Sequence, residues 1–240
     1  MKRISMGVLL YFFVIAISYA TFASDNITQD PYAGWRRFLE SRTYRLRNLS
    51  YWVGSAWVVK TDYPGTIAIT AAHCVLDDRT HKPLTNIWCV GPVSFDPATQ
   101  YSFILRSYDE PNNIAILSST EHYPLNASEI ERTPPQFTDP LFIINRYEAQ
   151  HKNPVIIGNF LACVWYPSHH VWRDLITNFT VSGCSGAPVF STDGFVTGML
   201  QGEYVFRSNG FMVRNATPNV ALIQALLSQG IHPVLHAANP

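Results

Sequence analysis

The chain of 240 residues is 47% hydrophobic and 14% charged, and its 17 basic and 17 acidic side chains cancel. That length and apolarity are enough to bury one or two solid cores. The balanced charge leaves no footprint for nucleic acid, so none is expected as a partner. At the N-terminus Lys2 and Arg3 precede an apolar run over 8–17 and small residues at Ser18, Ala20, Thr21 and Ala23. This pattern predicts a secretory signal over 1–23, cleaved after Ala20 or Ala23, and a secreted or periplasmic product. The apolar run is short for a membrane span, so no stable span is expected after cleavage, an uncleaved anchor being the alternative.

An N-terminal arm over 24–50 follows. Pro31 is placed to open a short helix, and Trp35, Phe38 and Leu39 fall at helical spacing, which predicts a helix docked on the body. Arg36, Arg37, Arg42, Arg45 and Arg47 are read as solvated, with contact to an anionic surface as the other reading. From Tyr51 the pattern changes to short apolar runs broken by turn residues, at 52–59, 66–70, 87–90, 101–107 and 114–117. These are strand signals, and Tyr63-Pro64-Gly65 marks a hairpin between the first two. Thr133-Pro134-Pro135 is the predicted linker, because adjacent prolines cannot continue a ladder. The second half repeats the style at 141–145, 155–165, 174–179, 189–190, 195–201 and 211–214, with Asp193-Gly194 as a hairpin turn. The chain closes on a helix capped by Thr217, with Pro218 in its first turn, Val220, Ile223 and Leu227 on one face, and Gly230 at its end. The prediction is therefore an all-β protein, with a first β-barrel over 51–133 and a second over 134–240 that includes the C-terminal helix.

An exported chain permits disulfides. The four cysteines, Cys74, Cys89, Cys163 and Cys184, allow three pairings. Cys74 with Cys89 and Cys163 with Cys184 is the set that respects a division into halves. No Cys-x-x-Cys pair or His-rich cluster suggests zinc, and neither metal nor cofactor is expected.

Two stretches carry the chemistry. In Gly183-Cys184-Ser185-Gly186-Ala187-Pro188 the flanking glycines let the backbone turn sharply, so that the Ser185 hydroxyl enters a cleft and the amides of Gly183 and Ser185 face one anionic oxygen. Far upstream lies Thr70-Ala71-Ala72-His73-Cys74, after Gly54-Ser55-Ala56-Trp57-Val58-Val59. Between them is Asn113-Ile114-Ala115-Ile116-Leu117. In this order the three blocks resemble the histidine, acid and nucleophile blocks of a trypsin-like (chymotrypsin-fold) serine protease. The likeness spans about residues 51–227. The chain lacks an Ile-Val-Gly-Gly-like start, and Cys184 stands where digestive members keep an aspartate, so their zymogen activation is not expected. Glu110-Pro111-Asn112-Asn113-Ile114-Ala115 is closer in style to bacterial and HtrA-like members, here without room for a PDZ domain.

The resemblance implies a peptide or protein substrate, Ser185 as nucleophile and His73 as the base, an imidazole being suited to take the hydroxyl proton near neutral pH. His151, His169 and His170 sit in loops and are read as solvated. The third member departs from the family, which has aspartate where this chain has Asn113. An aspartate orients the imidazole and stabilises its positive charge, whereas an amide only orients it and can favour the wrong tautomer. Asp109 or Glu110 reaching the imidazole from the same loop is the alternative source of a carboxylate. Cys184 as nucleophile would break the Gly-x-nucleophile-Gly spacing. The family's specificity pocket maps to Asn178, Phe179 and Thr180 and to the strand bearing Gln201 and Glu203. With no aspartate in the first group, a small or apolar side chain is expected there rather than Lys or Arg. Two functions remain: an exported serine endopeptidase of attenuated activity, and a silent relative that binds peptides in the same cleft.

Overall fold

The computed structural model describes residues 33–48, 51–91, 100–144, 155–177, 183–208 and 211–237, with backbone alone at 51–52, 89, 156, 202–208 and 211–212. The predicted signal over 1–23, His151, and Asn178, Phe179 and Thr180 lie outside the described residues, as does the Glu203 side chain.

Six strands form the first barrel: β1 (Tyr44–Asn48), β2 (Tyr51–Val59), β3 (Thr66–Thr70), β4 (Ile87–Gly91), β5 (Tyr101–Asp109) and β6 (Ile114–Ser119). They run in the order β1-β4-β5-β6-β3-β2, and the β1–β2 pairing closes the ring. The apolar runs recognised in the sequence are the strands that line this core, where Trp57, Ile67, Ile69, Trp88, Phe103 and Leu117 are all 0–1% exposed. Closure comes from β1, in a stretch the sequence reading assigned to an arm. There Tyr44, Arg45 and Leu46 are buried, so Arg45 is not solvated, while Arg42 lies over the Phe38 ring, 4.1 Å from its centroid. Alternating arginines masked the strand, because β1 owes its place to partners on both sides rather than to its own periodicity.

The second barrel comprises β9 (Pro140–Ile144), β10 (Val155–Tyr166), β11 (Val171–Thr177), β12 (Pro188–Phe190), β13 (Val196–Ser208) and β14 (Phe211–Pro218), ordered β12-β9-β10-β11-β14-β13 and closed by β12–β13. Leu141, Ile143, Phe160, Ile176, Cys184, Val189, Leu200 and Ala216 form its core. The fold is thus two closed six-stranded antiparallel barrels with one C-terminal helix. Between the barrels, β7 (Ala127–Ser128) adds to β2 and β8 (Ile130–Glu131) pairs with β13 and with β15 (Leu235–His236). The chain passes from one sheet to the other here, ahead of Thr133-Pro134-Pro135.

Helix α1 (Ala33–Glu40) precedes β1, and its Trp35 stacks on Phe142 of β9 at 4.4 Å while Phe38 meets Phe190 of β12 edge-on at 5.5 Å. One segment therefore fastens the second barrel and then enters the first. Helix α2 (Asn219–Ser228) starts after Pro218 and ends before Gly230, at φ 68°. Its buried face is Leu222 and Leu226, four apart, whereas Val220 and Leu227 are 47% and 46% exposed. The expected face is corrected: with the first turn beginning at Asn219, the helix rotates Leu222 and Leu226 inward. Thr217 remains in β14 and does not cap the helix.

No disulfide occurs among the described residues, correcting both expected pairs. Cys74 is buried beside the other barrel, its sulfur 3.9 Å from the Ser185 carbonyl, whereas Cys89 lies opposite Arg47 across β4 and β1. Cys163 lies opposite Asp174 across β10 and β11, and Cys184 belongs to the second core.

Candidate active site

His73 and Asn113 are 40 residues apart and meet because β3 and β6 are antiparallel neighbours with Thr70 opposite Ala115. At the end of β3 a single 3-10 turn, Ala72–Cys74, points His73 outward. At the start of β6 the chain emerges from a turn whose last residue, Asn113, has φ 56°, a left-handed conformation that asparagine tolerates better than most side chains. Backbone and side chain of Asn113 both hold the histidine segment: its carbonyl accepts from Ala72 N at 3.1 Å and its Oδ1 from His73 N at 3.0 Å.

That second bond orients the amide, because a backbone N–H only donates and must face the oxygen. Oδ1 then stands 3.1 Å from His73 Nδ1. Nδ2 is closer, at 2.9 Å. If Nδ1 carries a proton it donates to Oδ1 and leaves Nε2 free to accept a proton; if Nδ1 is bare it accepts from Nδ2 and the proton sits on Nε2 instead. A carboxylate at this place would offer oxygen at both positions and permit only the first arrangement.

Ser185 comes from the loop before β12, and the first barrel supports it from behind. Ser55 of β2 donates its N–H to the Ser185 carbonyl at 2.8 Å and its hydroxyl to the Gly183 carbonyl at 3.0 Å, while Thr70 donates to the Ser55 carbonyl at 2.7 Å. Gly186, at φ 84°, seals this contact, since a Cβ there would lie 2.3 Å from the Ser55 carbonyl oxygen and 2.6 Å from Thr70 Oγ1. The Ser185 hydroxyl donates to the Gln201 carbonyl at 3.2 Å, and no hydrogen bond joins it to His73 among the described residues. His73, Asn113, Ser185 and Gln201 nevertheless line one open cleft of about 670 Å³, with Tyr166 and Arg173 of the β10–β11 hairpin on its other wall.

The upstream carboxylates are engaged elsewhere. Asp109 accepts from Asn112 N at 3.0 Å and from Asn112 Nδ2 at 2.7 Å. Glu110 pairs with His81 at the cleft rim. Cys184 is 0% exposed and packs away from the cleft, and burial pushes the Cys74 thiol up to about 12, leaving it protonated. Of the expected pocket residues, Gln201 is described: it is 3% exposed, and its side chain hydrogen-bonds Thr217 and the Asn112 carbonyl. His169 and His170 are exposed in the β10–β11 turn, and His169 reaches the cleft. Sequence reasoning missed Ser55, Thr70, Arg173 and Thr217. Ser55 and Thr70 did carry a signal, as hydroxyls inside apolar strands, where a buried polar group requires a partner.

The family model for the trypsin-like peptidase domain matches residues 54–199, from the glycine behind Ser185 to the strand beyond it. The chain belongs to that family. No curated protein matches the sequence. Among solved structures, this trypsin-like chain is similar to the Rv3671c protease of M. tuberculosis in its active form, at 17% identity and TM-score 0.58, with 85% of this chain and 93% of that one covered. The inactive form of the Rv3671c protease gives 17% identity and TM-score 0.60, covering 86% and 100%. A serine endoprotease from Yersinia pestis gives 18% and 0.58, covering 84% and 67%. At these identities the likeness is one of fold. Among the described residues no cluster of His, Cys, Asp or Glu is suited to a metal, and no helix is long and apolar enough to cross a membrane.

Proposed function

We propose that the protein is an exported, HtrA-like serine endopeptidase in which Ser185 is the nucleophile, His73 the general base and Asn113 the residue that orients it. The observation that carries this reading is the convergence of His73, Asn113 and Ser185 on one cleft from three distant stretches, with the Asn113 amide seated against the imidazole. In the reacting complex the Ser185 hydroxyl leaves the Gln201 carbonyl and turns to His73 Nε2. Its oxygen bonds to the scissile carbonyl carbon as the proton passes to Nε2. The carbonyl oxygen becomes an oxyanion, for which the amides of Gly183 and Ser185 are the donors. Support for the Ser185 donor is that its N–H shares a peptide plane with the Cys184 carbonyl, which accepts from Ala187 N at 2.9 Å on the opposite side. Collapse of the intermediate breaks the C–N bond, and the proton on Nε2 goes to the leaving amine. Water then repeats the cycle on the acyl-enzyme. By resemblance to the family, Asn178, Phe179, Thr180, Gln201 and Glu203 are assigned to recognition of the side chain before the scissile bond.

Attenuation follows from Asn113, which leaves the imidazolium without a negative neighbour at Nδ1. In trypsin the equivalent exchange lowers turnover about ten-thousandfold. A second reading, a silent relative that binds peptides, is favoured by the 2.9 Å approach of Asn113 Nδ2 to Nδ1, which supports the unproductive tautomer.

A fluorophosphonate probe separates the two. The wild-type protein is expected to be labelled covalently at Ser185, and Ser185→Ala and His73→Ala each to abolish labelling. Labelling that survives Ser185→Ala removes the nucleophile assignment, and a folded wild type that stays unlabelled leaves the peptide-binding reading.

A further inference from the structure

Three buried polar side chains of the second barrel reach across to the turn that bears Asn113. Thr217 of β14, 0% exposed, donates its hydroxyl to the Asn112 carbonyl at 2.9 Å. Gln201 of β13 donates through Nε2 to Thr217 Oγ1 at 2.7 Å and reaches the same carbonyl at 3.3 Å. Arg173 of β11, 4% exposed, donates through Nη2 to the carbonyl of Pro111. Two consecutive carbonyls ahead of Asn113 are thereby held from the opposite barrel. The backbone carbonyl of Gln201 is also the acceptor of the Ser185 hydroxyl.

The turn does not need this support to form. Asp109 already caps it through both carboxylate oxygens, and burying a guanidinium, an amide and a hydroxyl carries a desolvation cost that only good partners offset. What the bridge supplies is position. An amide presents unlike atoms at its two ends, and Oδ1 and Nδ2 stand 3.1 Å and 2.9 Å from His73 Nδ1, so a small displacement of the turn decides which atom meets the imidazole.

We propose that Thr217, Gln201 and Arg173 are positioning residues that act through Asn113, holding the turn that decides which end of its amide meets His73 Nδ1 and thereby coupling the histidine's proton position to the strand that holds Ser185. This inference rests on the hydrolytic reading of the site.

The test measures the limiting inactivation rate and the apparent affinity for a fluorophosphonate on the full chain. Thr217→Val keeps the side-chain shape and removes the donor. It is expected to lower the limiting rate about tenfold with the apparent affinity unchanged, and Thr217→Ser to recover most of the loss. In an Asn113→Gly background, which suits the left-handed backbone, Thr217→Val is expected to change the rate less than about twofold. If Thr217→Val fails to fold, Gln201→Met, which removes the amide donors and retains the backbone carbonyl, carries the same comparison. A variant that reacts like the wild type, or that loses the same factor in the Asn113→Gly background, overturns the proposal. A labelled wild type with an indifferent Thr217→Val sinks only this inference, whereas an unlabelled wild type removes the hydrolytic reading along with it.

Discussion

Asn113 combines two properties that pull in different directions. Its left-handed backbone suits the turn, and its Oδ1 is a good acceptor for the His73 amide, but its Nδ2 competes for Nδ1. Asn113→Asp keeps the acceptor, replaces the competing donor by a second oxygen and places a negative charge beside the imidazolium. Fluorophosphonate labelling and peptide hydrolysis are expected to rise about tenfold to a thousandfold, short of the full effect known for this exchange because, among the described residues, only His73 donates to this position. Glu110→Gln is the control. Glu110 is taken up by His81, so its loss is expected to leave the rate within about twofold. A silent Glu110→Gln enzyme together with an unimproved Asn113→Asp enzyme would transfer the carboxylate's role to Glu110.

At the scale of elements, α1 is joined to the second barrel by aromatic contacts. Trp35 lies flat on Phe142, and Phe38 fits between Phe190, the Arg42 guanidinium and the turn at Gly194, where a Cβ would come within 2.9 Å of the ring. Phe190 lies in β12, the strand that directly follows Ser185. Removing the Phe38 ring leaves a gap over that strand and strips the stacking surface from Arg42. Phe38→Ala is expected to cost about 2 kcal/mol, below the figure for a fully buried aromatic because Phe38 is half-buried. By calorimetry that is a fall of roughly 4–8 °C in Tm for a protein of this size. An unchanged Tm would mean that α1 contributes nothing to holding the second barrel.

At the scale of the whole molecule, Asp174 is a carboxyl buried within the second barrel, 4% exposed. Burial pushes its carboxyl up to about 7, offset only in part by the thiol of Cys163. The unfolded chain releases this proton near the ordinary value of about 3.9, so between about pH 4 and pH 7 the folded state binds a proton that the unfolded state does not. Stability from this group is complete below pH 4, falls as pH rises through that window and levels off above it, the total change being on the order of a few kcal/mol. Urea unfolding from pH 4.5 to 8 is expected to show that decline, and Asp174→Asn to flatten most of it. Glu131, raised by burial in the same direction, leaves a residual slope. A decline of undiminished size in Asp174→Asn would assign the effect elsewhere.

Local sequence determined most of the strands and the hairpin turns at Gly65 and Gly194, and it singled out His73, Asn113 and Ser185 as the candidate site, because apolar runs, turn residues and the three motif blocks are properties of neighbours in the chain. It could not determine β1, whose arginines conceal a strand that exists only through its pairing with β2 and β4, or the inward face of α2, which a one-residue shift in starting point rotates. The cysteines were misread for a related reason: spacing permits a disulfide, but only packing decides where each sulfur lies, and Cys74 went to the contact between barrels while Cys184 went to a core. Tertiary structure alone also decided how the site is supported. Ser55 behind Ser185, and Thr217, Gln201 and Arg173 around the turn before Asn113, act through backbone carbonyls, which every residue carries. A hydroxyl inside an apolar strand, such as that of Ser55, announces that a partner is needed but not which carbonyl supplies it, and two barrels had to close and meet before those carbonyls were within reach.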